Sequence, residues 1–321
     1  MDWLYWLAVL TIAYFVVCIY LILTGDCDII LYLFTKYGKK PDVLRGKVVW
    51  ITGASSGIGE YLSYELAKAG CRLCLSARRK EELERVKKQC LLSGKTTEEN
   101  ILVLPLDVLK LESHTAAFGD VCKKFGQVDI LVNNAGRSQR AAWEKTDLLV
   151  DRDMLELNVI AVLSLTKTVL PSMLDRHDGH IVNMSSVAGK IGAPLSGSYT
   201  GAKHALQGWF DCLRVEVATR GVSVTSICPG PVFSNILSTA FTENHGEELG
   251  GAMKTGEKRM STERCAELCA VAMANKLDEV WLSNNPVLFF LYLNQYFPNL
   301  AKIVSKRMGL NIIKKIREGQ Q

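Results

Sequence analysis

A tyrosine and a lysine four residues apart have the residue types and spacing for proton transfer. Tyr199 and Lys203 lie in a predicted helix, where side chains at positions i and i+4 share one face. A phenol, with a pKa of about 10, carries protons poorly at neutral pH unless a neighbouring cation such as the Lys203 ammonium favours its anion. Ser186 follows a predicted strand, and its hydroxyl could hold a substrate carbonyl oxygen beside Tyr199. The pair alone is weak evidence, because this spacing occurs by chance in many helices.

Residues 52–59 have the glycine pattern of a dinucleotide-binding turn. They join a β-rich run to a long helical stretch. Gly53 allows a tight turn, Gly57 lets the backbone approach a pyrophosphate, and Gly59 permits close packing of helix on strand. The first N–H groups of the helix and its positive dipole end would face the phosphates. The turn therefore predicts a bound dinucleotide.

These residues need a scaffold, and the sequence predicts an α/β one. Short β-rich runs alternate with helical stretches between residues 45 and 285. The runs are nearly continuous in apolar residues, which is typical of parallel strands covered by helices on both faces. Strands are predicted at residues 47–52, 71–76, 101–106, 128–132, 181–184, 222–228 and 279–282. The fold class is therefore a Rossmann-type, doubly wound parallel sheet of about seven strands, forming one domain over residues 46–285.

The composition excludes several classes of protein. Of 321 residues, 48% are apolar and 22% are charged, unlike a disordered tail, a collagen or a multi-span membrane protein. The net charge is +5 without a basic stripe of interleaved aromatic residues, so we expect no nucleic-acid partner. Ten scattered cysteines predict reduced thiols. Cys71 and Cys74 face opposite sides of a strand, and Cys265 and Cys269 lack a second ligand pair, so we expect no metal site.

The first 25 residues are predicted to anchor the chain in a membrane. Residues 3–24 are uncharged, and a helix of that length spans roughly 33 Å, against about 30 Å for a bilayer core. Asp2 precedes the segment and no small-residue cleavage site follows it, which argues against a signal peptide. Residues 26–45 are predicted to be a basic juxtamembrane linker. Its charge favours a cytoplasmic domain, although Asp26 and Asp28 weaken that assignment.

Residues 286–321 are predicted to form an apolar and basic extension. The apolar run after Pro286 is too short to span a bilayer. A core helix and an interfacial segment with its basic tail on lipid headgroups both fit this composition. We favour contact with membrane lipid.

The order and spacing of five motifs resemble the short-chain dehydrogenase/reductase family over residues 45–285. The family's T-G-x-x-x-G-x-G motif corresponds to residues 52–59, its N-N-A-G motif to residues 133–136 and its Y-x-x-x-K motif to residues 199–203. The helix asparagine corresponds to Asn158, and the P-G-x-V-x-[ST] turn to residues 229–234. A serine thirteen residues before the tyrosine completes the pattern, and this spacing selects Ser186 over Ser185.

The resemblance implies which residues form the site. The catalytic residues would be Asn158, Ser186, Tyr199 and Lys203, with a water molecule linking the asparagine to the lysine and with Ser186 contacting the substrate. The cofactor-binding residues would lie in the glycine-rich turn, after four of the strands and in the catalytic pair: Gly53, Ser55, Ser56, Gly57, Ile58, Gly59, Arg78, Asp107, Asn134, Tyr199, Lys203 and Ser234. Residues 235–260 correspond to the family's variable substrate lid.

The residues after the second strand predict which dinucleotide is bound. NAD sites generally place an acid about 20 residues beyond the glycine motif, where it binds the ribose 2′-hydroxyl. No acid occurs between Cys71 and Lys80, whereas Arg78 lies 19 residues after Gly59. Because a guanidinium can pair with a 2′-phosphate, NADP(H) is the preferred cofactor, and NAD(H) stays open. Arg79 fits a second phosphate contact and a solvent-facing helix start equally well.

Together these features predict a membrane-anchored, NADP(H)-dependent oxidoreductase that interconverts carbonyls and alcohols of lipophilic small molecules. A steroid or retinoid would suit a site beside a membrane, and we expect that membrane to be the endoplasmic reticulum. Two alternatives stay open: an NAD-dependent dehydrogenase of the same fold, and a non-catalytic dinucleotide-binding scaffold, against which the intact Ser186, Tyr199 and Lys203 argue. The sequence also leaves open whether the chain forms a homo-oligomer.

Overall fold

Seven parallel strands form one sheet in the computed structural model, which describes residues 2–93, 95–253 and 257–317. The strands are β1 (Val48–Thr52), β2 (Arg72–Ala77), β3 (Ile101–Pro105), β4 (Ile130–Asn133), β5 (Gly179–Met184), β6 (Val222–Pro229) and β7 (Glu279–Leu282). Their order across the sheet is β3-β2-β1-β4-β5-β6-β7. The predicted α/β fold is confirmed, and every predicted strand is present with its ends shifted by two residues or fewer.

The strand order reverses between β1 and β4, because the chain proceeds from β1 to β3 on one side and from β4 to β7 on the other. In open α/β sheets, ligands bind at the carboxyl ends of the strands beside such a reversal. β1 ends at Thr52 and β4 ends at Asn133. The fold therefore brings the glycine-rich turn and the residues that follow β4 to one crevice.

Helices cover both faces of the sheet, as the apolar strands require. They are α3 (Gly57–Lys68), α4 (Lys80–Ser93), α5 (His114–Phe125), α6 (Leu148–Leu155), α7 (Ala161–Asp175), α8 (Gly197–Val217) and α9 (Thr262–Ala274). Cys71 and Cys74 are both buried but lie in different core clusters, one on each face of the sheet, as predicted. All ten cysteines are free, and no cluster of metal-ligating side chains occurs among the described residues.

Helix α1 (Asp2–Thr24) projects its apolar side chains away from the domain. The segment Trp3–Thr24 is long enough and apolar enough to cross a bilayer, and none of it is buried inside the protein. A second segment of sufficient length, residues 148–175, is 44% buried and belongs to the core. It comprises α6, α7 and a turn of π-helix between them (Glu156–Ile160).

Residues 26–45, predicted to be a basic juxtamembrane linker, are folded onto the domain. Helix α2 (Ile29–Tyr37) buries Leu31 in the core. The Asp28 carboxylate accepts hydrogen bonds from the backbone N–H groups of Leu31 and Trp281, at 2.9 and 2.8 Å. Asp26 pairs with Arg264 at 2.7 Å. Both acids therefore have partners within the domain, which the sequence pattern did not reveal.

The C-terminal extension forms two helices, α10 (Val287–Tyr296) and α11 (Pro298–Arg317). Leu288 and Leu291 of α10 are buried. Gly309 interrupts α11 with φ 69° and ψ 173°, in the left-handed region that favours glycine. α10 also contacts α1, so the helices that precede and follow the domain in the sequence are in contact.

Candidate active site

The glycine-rich turn is packed so tightly that side chains are excluded from it. Gly53 and Gly57 have φ of 66° and 59°. A Cβ atom on Gly59 would press on the Gly53 carbonyl oxygen and lie 2.5 Å from Asn134 Nδ2. Ser56 precedes α3 without capping it through its side chain, so the first N–H groups of the helix face the crevice. Such a turn fits a pyrophosphate, because backbone N–H groups and the helix dipole favour an anion there.

Side chains and backbone groups fasten this turn to the segment after β4. Asn134 Nδ2 donates hydrogen bonds to the carbonyl oxygens of Thr52 and Gly53, at 2.9 and 3.2 Å. The Thr52 hydroxyl accepts hydrogen bonds from the N–H groups of Asn134 and Ala135. Asn134 therefore holds the two halves of the crevice together, a positioning contact that the motif alone did not specify.

Tyr199 and Lys203 share one face of α8, as their spacing predicts. The Lys203 Nζ atom lies 5.7 Å from the centre of the Tyr199 ring and donates a 2.8 Å hydrogen bond to the Met184 carbonyl at the end of β5. Burial lowers the pKa of the Lys203 ammonium to about 8, against a smaller opposing influence of Cys228. The lysine is thus a fixed, mostly protonated cation at pH 7 beside the tyrosine ring.

Ser186 lies directly beyond β5, on the same side of the crevice. Its Oγ accepts a 3.1 Å hydrogen bond from the Ala188 N–H and donates a long, 3.3 Å one to the Pro229 carbonyl. Ser185 is turned towards the Lys203 carbonyl instead, at 3.4 Å. Both serines line the cleft, but Ser186 has a hydroxyl proton held only by a weak bond, which a substrate oxygen could replace.

Asn158 lies in the π-helical turn and is fully buried. Its Oδ1 accepts a 3.0 Å hydrogen bond from the Arg137 N–H, and its Nδ2 donates a 2.8 Å one to the Arg137 carbonyl. Gly136 lies between this amide and the lysine, since a Cβ there would be 2.8 Å from Asn158 Oδ1 and 3.9 Å from Lys203 Nζ. The asparagine side chain thus fixes the segment after β4, behind the wall of the cleft.

The predicted 2′-phosphate residues lie at the opposite end of the crevice. Arg78 and Arg79 follow β2, are exposed and line the cleft. Neither guanidinium is paired with a carboxylate of the described residues. Asp107 lies after β3, where its carboxylate accepts a hydrogen bond from the Leu109 N–H at 3.2 Å. Two unpaired cations at this end can receive an anionic group of a dinucleotide.

One cleft of about 1020 Å³ joins these parts. Of the predicted site residues, all but Gly59 and Asn158 line it; these two pack directly behind the wall. The lining members are Gly53, Ser55, Ser56, Gly57, Ile58, Arg78, Asp107, Asn134, Ser186, Tyr199, Lys203 and Ser234.

The cleft also contains residues that the sequence did not single out. Arg137 pairs with Glu248 at 2.8 Å and lies over the Phe241 ring at 5.2 Å, which ties the segment after β4 to residues 235–253. Apolar side chains of α10 and α11, among them Phe290 and Met308, form the far wall. Glu248 is 111 residues from Arg137, so no local pattern could pair them.

The sequence model described as short chain dehydrogenase matches residues 47–245. Dehydrogenase/reductase SDR family member 7 of Homo sapiens is 45% identical over 324 residues, covering 99% of this chain and 95% of that protein. Its counterpart from Mus musculus is 45% identical over 89% of this chain and 85% of its own.

Solved structures of dehydrogenases are also similar to this chain. A short-chain dehydrogenase from Streptomyces avermitilis superposes with a TM-score of 0.67 at 28% identity, over 83% of this chain and all of that one. An alcohol dehydrogenase from Thermococcus sibiricus, complexed with 5-hydroxy-NADP, gives 0.65 at 26% identity over 75% and 97%. The chain belongs to the short-chain dehydrogenase/reductase family and is an NAD(P)-dependent dehydrogenase or reductase.

Proposed function

We propose that this protein is a membrane-anchored, NADP(H)-dependent enzyme that interconverts carbonyls and alcohols of lipophilic molecules. The observation that carries the proposal is the single cleft: Ser186, Tyr199 and Lys203 lie at one part of it and the unpaired Arg78 guanidinium at another. Between them lies the glycine-rich turn, which would hold a pyrophosphate. When bound, NADP(H) supplies or accepts the hydride.

The proposed roles follow from the positions of the side chains. During reduction, the Tyr199 hydroxyl donates its proton to the carbonyl oxygen, and during oxidation it takes the proton back. The Ser186 hydroxyl turns from the Pro229 carbonyl to the same substrate oxygen. The Lys203 ammonium stabilises the tyrosinate by charge proximity. Asn158 holds the segment around Arg137 in place. It would also bind a water molecule that contacts the Lys203 ammonium.

Cofactor binding is divided between the two ends of the crevice. The amides of the glycine-rich turn, with Ser55, Ser56 and Ile58, would hold the phosphates. Arg78 would pair with the 2′-phosphate, and no carboxylate lies between Cys71 and Lys80 to repel it. Asp107, Asn134 and Ser234 complete the proposed cofactor site. Because only NADP(H) carries a 2′-phosphate, a guanidinium at this position would raise the affinity for NADP(H) relative to NAD(H).

The substrate class is inferred from the far wall of the cleft. Phe289, Phe290 and Leu293 of α10 line it together with Val304 and Met308 of α11. Such a wall suits an apolar body, for which a steroid or a retinoid is the expected type. Helix α1 would hold this cleft beside a membrane, proposed to be that of the endoplasmic reticulum, where apolar molecules concentrate.

A substrate panel tests the proposal directly. Full-length protein in detergent is assayed with apolar ketones and aldehydes, each with NADPH and with NADH. We expect reduction of apolar carbonyls that is faster with NADPH at equal concentration. A preference for NADH would support the NAD-dependent alternative. Tight cofactor binding without turnover of any carbonyl or alcohol would support the non-catalytic scaffold.

A further inference from the structure

Helix α11 has two faces with different surroundings. Its inner face supplies Val304, Met308 and Ile313 to the wall of the cleft. The rest of its surface, called the outer face here, carries four large apolar side chains that are 48–49% exposed: Leu300, Ile303, Leu310 and Ile312. The cleft thus accounts for one face of the helix only.

The outer face is also strongly basic. The helix sequence contains no acidic residue. Among the side chains that the structure describes, the exposed cations of the helix are Lys302, Lys306, Arg307, Lys314 and Lys315. Apolar side chains interleaved with lysine and arginine are the pattern of a helix that lies in the plane of a membrane surface. Gly309, whose φ is 69°, kinks the helix, so its two halves run in different directions.

The end of α1 lies beside the start of this helical pair. Asn285 Nδ2 donates hydrogen bonds to the carbonyl oxygens of Ile22 and Leu23, at 2.7 and 2.8 Å. The Asn285 Oδ1 atom accepts a 3.0 Å hydrogen bond from the Phe289 N–H in the first turn of α10. One side chain therefore joins the end of the apolar helix to a segment that lines the cleft.

We propose that the outer face of α11 docks on an anionic phospholipid surface, so that the apolar end of the cleft opens beside the bilayer and receives its substrate from it. The proposal rests on the membrane anchor of the proposed function and adds a second, separate contact. The apolar side chains enter the boundary between headgroups and acyl chains, while the five cations meet lipid phosphates. Charge complementarity selects an anionic bilayer, because a neutral one would leave these cations without partners.

The depth of the outer face can be measured without turnover. Full-length protein is reconstituted in nanodiscs of phosphatidylcholine and phosphatidylserine, and a nitroxide is attached through Ile303→Cys. Serine replaces the three cysteines that are not buried, namely Cys18, Cys122 and Cys212. The matched control carries the nitroxide at Val215→Cys, which is 79% exposed on α8.

We expect the label at position 303 to collide preferentially with oxygen, which dissolves in lipid, and the label at position 215 with a water-soluble nickel complex. Equal exposure of both labels to the nickel complex would overturn the proposal. So would the same depth at position 303 in nanodiscs of phosphatidylcholine alone, since the charge complementarity would then have no effect.

Neutralising the cations tests the route of the substrate. The combined substitutions Lys302→Gln, Lys306→Gln, Arg307→Gln, Lys314→Gln and Lys315→Gln should raise the KM of a ketone that partitions into lipid by at least about tenfold. The KM of a small water-soluble aldehyde and the kcat of both substrates should stay within about twofold. The control variant combines five substitutions of exposed cations elsewhere: Lys88→Gln, Lys123→Gln, Lys124→Gln, Lys167→Gln and Arg220→Gln.

The two measurements separate this proposal from the proposed function. Absence of NADPH-dependent turnover in the wild-type protein would refute the proposed activity but leave the depth measurement valid. Parallel changes in KM for both substrates, or no change in either, would refute entry from the bilayer. Equal effects of the two quintuple variants would also refute it.

Discussion

The Lys203 ammonium nitrogen lies 5.7 Å from the centre of the Tyr199 ring while it donates a 2.8 Å hydrogen bond to the Met184 carbonyl. The bond to β5 prevents the long lysine side chain from leaving the cleft. A cation of fixed position lowers the free energy of a neighbouring tyrosinate without being consumed. The geometry therefore holds a positive charge beside the hydroxyl-bearing ring that is proposed to carry the proton.

Replacing Tyr199 with phenylalanine removes the proposed transferable proton and keeps the ring. We expect turnover to fall by about 10²–10⁴-fold, the usual contribution of a general acid, with NADPH affinity retained. Steady-state rates and a fluorescence titration of NADPH measure the two quantities. Tyr37→Phe, at an exposed position in α2, is the matched control. Near wild-type turnover in Tyr199→Phe would show that another group carries the proton.

Replacing Gly59 with alanine should disturb the phosphate turn. The new methyl group would press on the Gly53 carbonyl and on Asn134 Nδ2, and backbone cannot move aside easily. We expect a loss of about 1–3 kcal/mol in stability and a clear loss of NADPH affinity. Gly119→Ala in α5, where nothing lies within 4 Å, should instead be neutral or stabilising. Unchanged NADPH affinity in Gly59→Ala would argue against close backbone approach to the cofactor there.

His180 should make the protein sensitive to acid. Burial lowers the pKa of its imidazole to about 3, and Lys276 adds to the shift; the ring lies 2.8 Å from the Thr225 hydroxyl. In the unfolded state the histidine has a pKa of about 6.5. Between pH 6.5 and pH 3 the unfolded state therefore binds a proton at this residue that the folded state does not bind. Stability contributed by the neutral ring is therefore complete above pH about 6.5 and is lost as the pH falls towards 3.

This histidine should account for about 2 kcal/mol of the stability lost between pH 7 and pH 5. Urea denaturation of wild type and His180→Gln at both pH values measures that share, since the glutamine variant lacks the titrating ring. His204→Gln, at an exposed position, controls for the loss of a histidine as such. Identical losses in wild type and His180→Gln would assign the acid sensitivity to other groups.

The strands could be predicted, and most of the residues that line the cleft could be singled out, because their signals are local. Continuous apolar runs mark buried strands, and the spacings of glycine, tyrosine and lysine report turn and helix geometry within a few residues. Helix α2 was missed, because its burial depends on Leu31 and Asp28 meeting residues more than 200 positions away. The ion pair of Arg137 with Glu248 was missed because its partners are 111 positions apart.

The N-terminal helix can be tested by a deletion that spares its contact with the domain. Removal of residues 2–21 leaves the carbonyl groups of Ile22 and Leu23 that Asn285 binds. We expect the shortened protein to leave the carbonate-resistant membrane fraction and to retain NADPH binding. A shortened protein that still resists carbonate extraction would assign the main membrane attachment to the segment after Pro286.

The choice of dinucleotide depends on Arg78, which lines the cleft after β2 and is not paired with a carboxylate of the described residues. A guanidinium can bind a 2′-phosphate through two hydrogen bonds, and an alanine cannot. Arg78→Ala should therefore weaken NADPH binding by about tenfold or more, the effect of losing one charge-assisted hydrogen bond of about 1.5–3 kcal/mol. NADH lacks the 2′-phosphate, so its affinity should change little.

Titration of both cofactors into wild type, Arg78→Ala and the control Arg220→Ala gives the comparison, since Arg220 is exposed away from the cleft. The neighbouring Arg79→Ala shows whether the second guanidinium shares the role. A loss confined to NADPH assigns the 2′-phosphate to Arg78, because only that group distinguishes the two cofactors. Equal losses of affinity for NADPH and NADH, or a wild-type preference for NADH, would show that Arg78, which follows β2, does not select NADP(H). Either result would favour the NAD-dependent alternative.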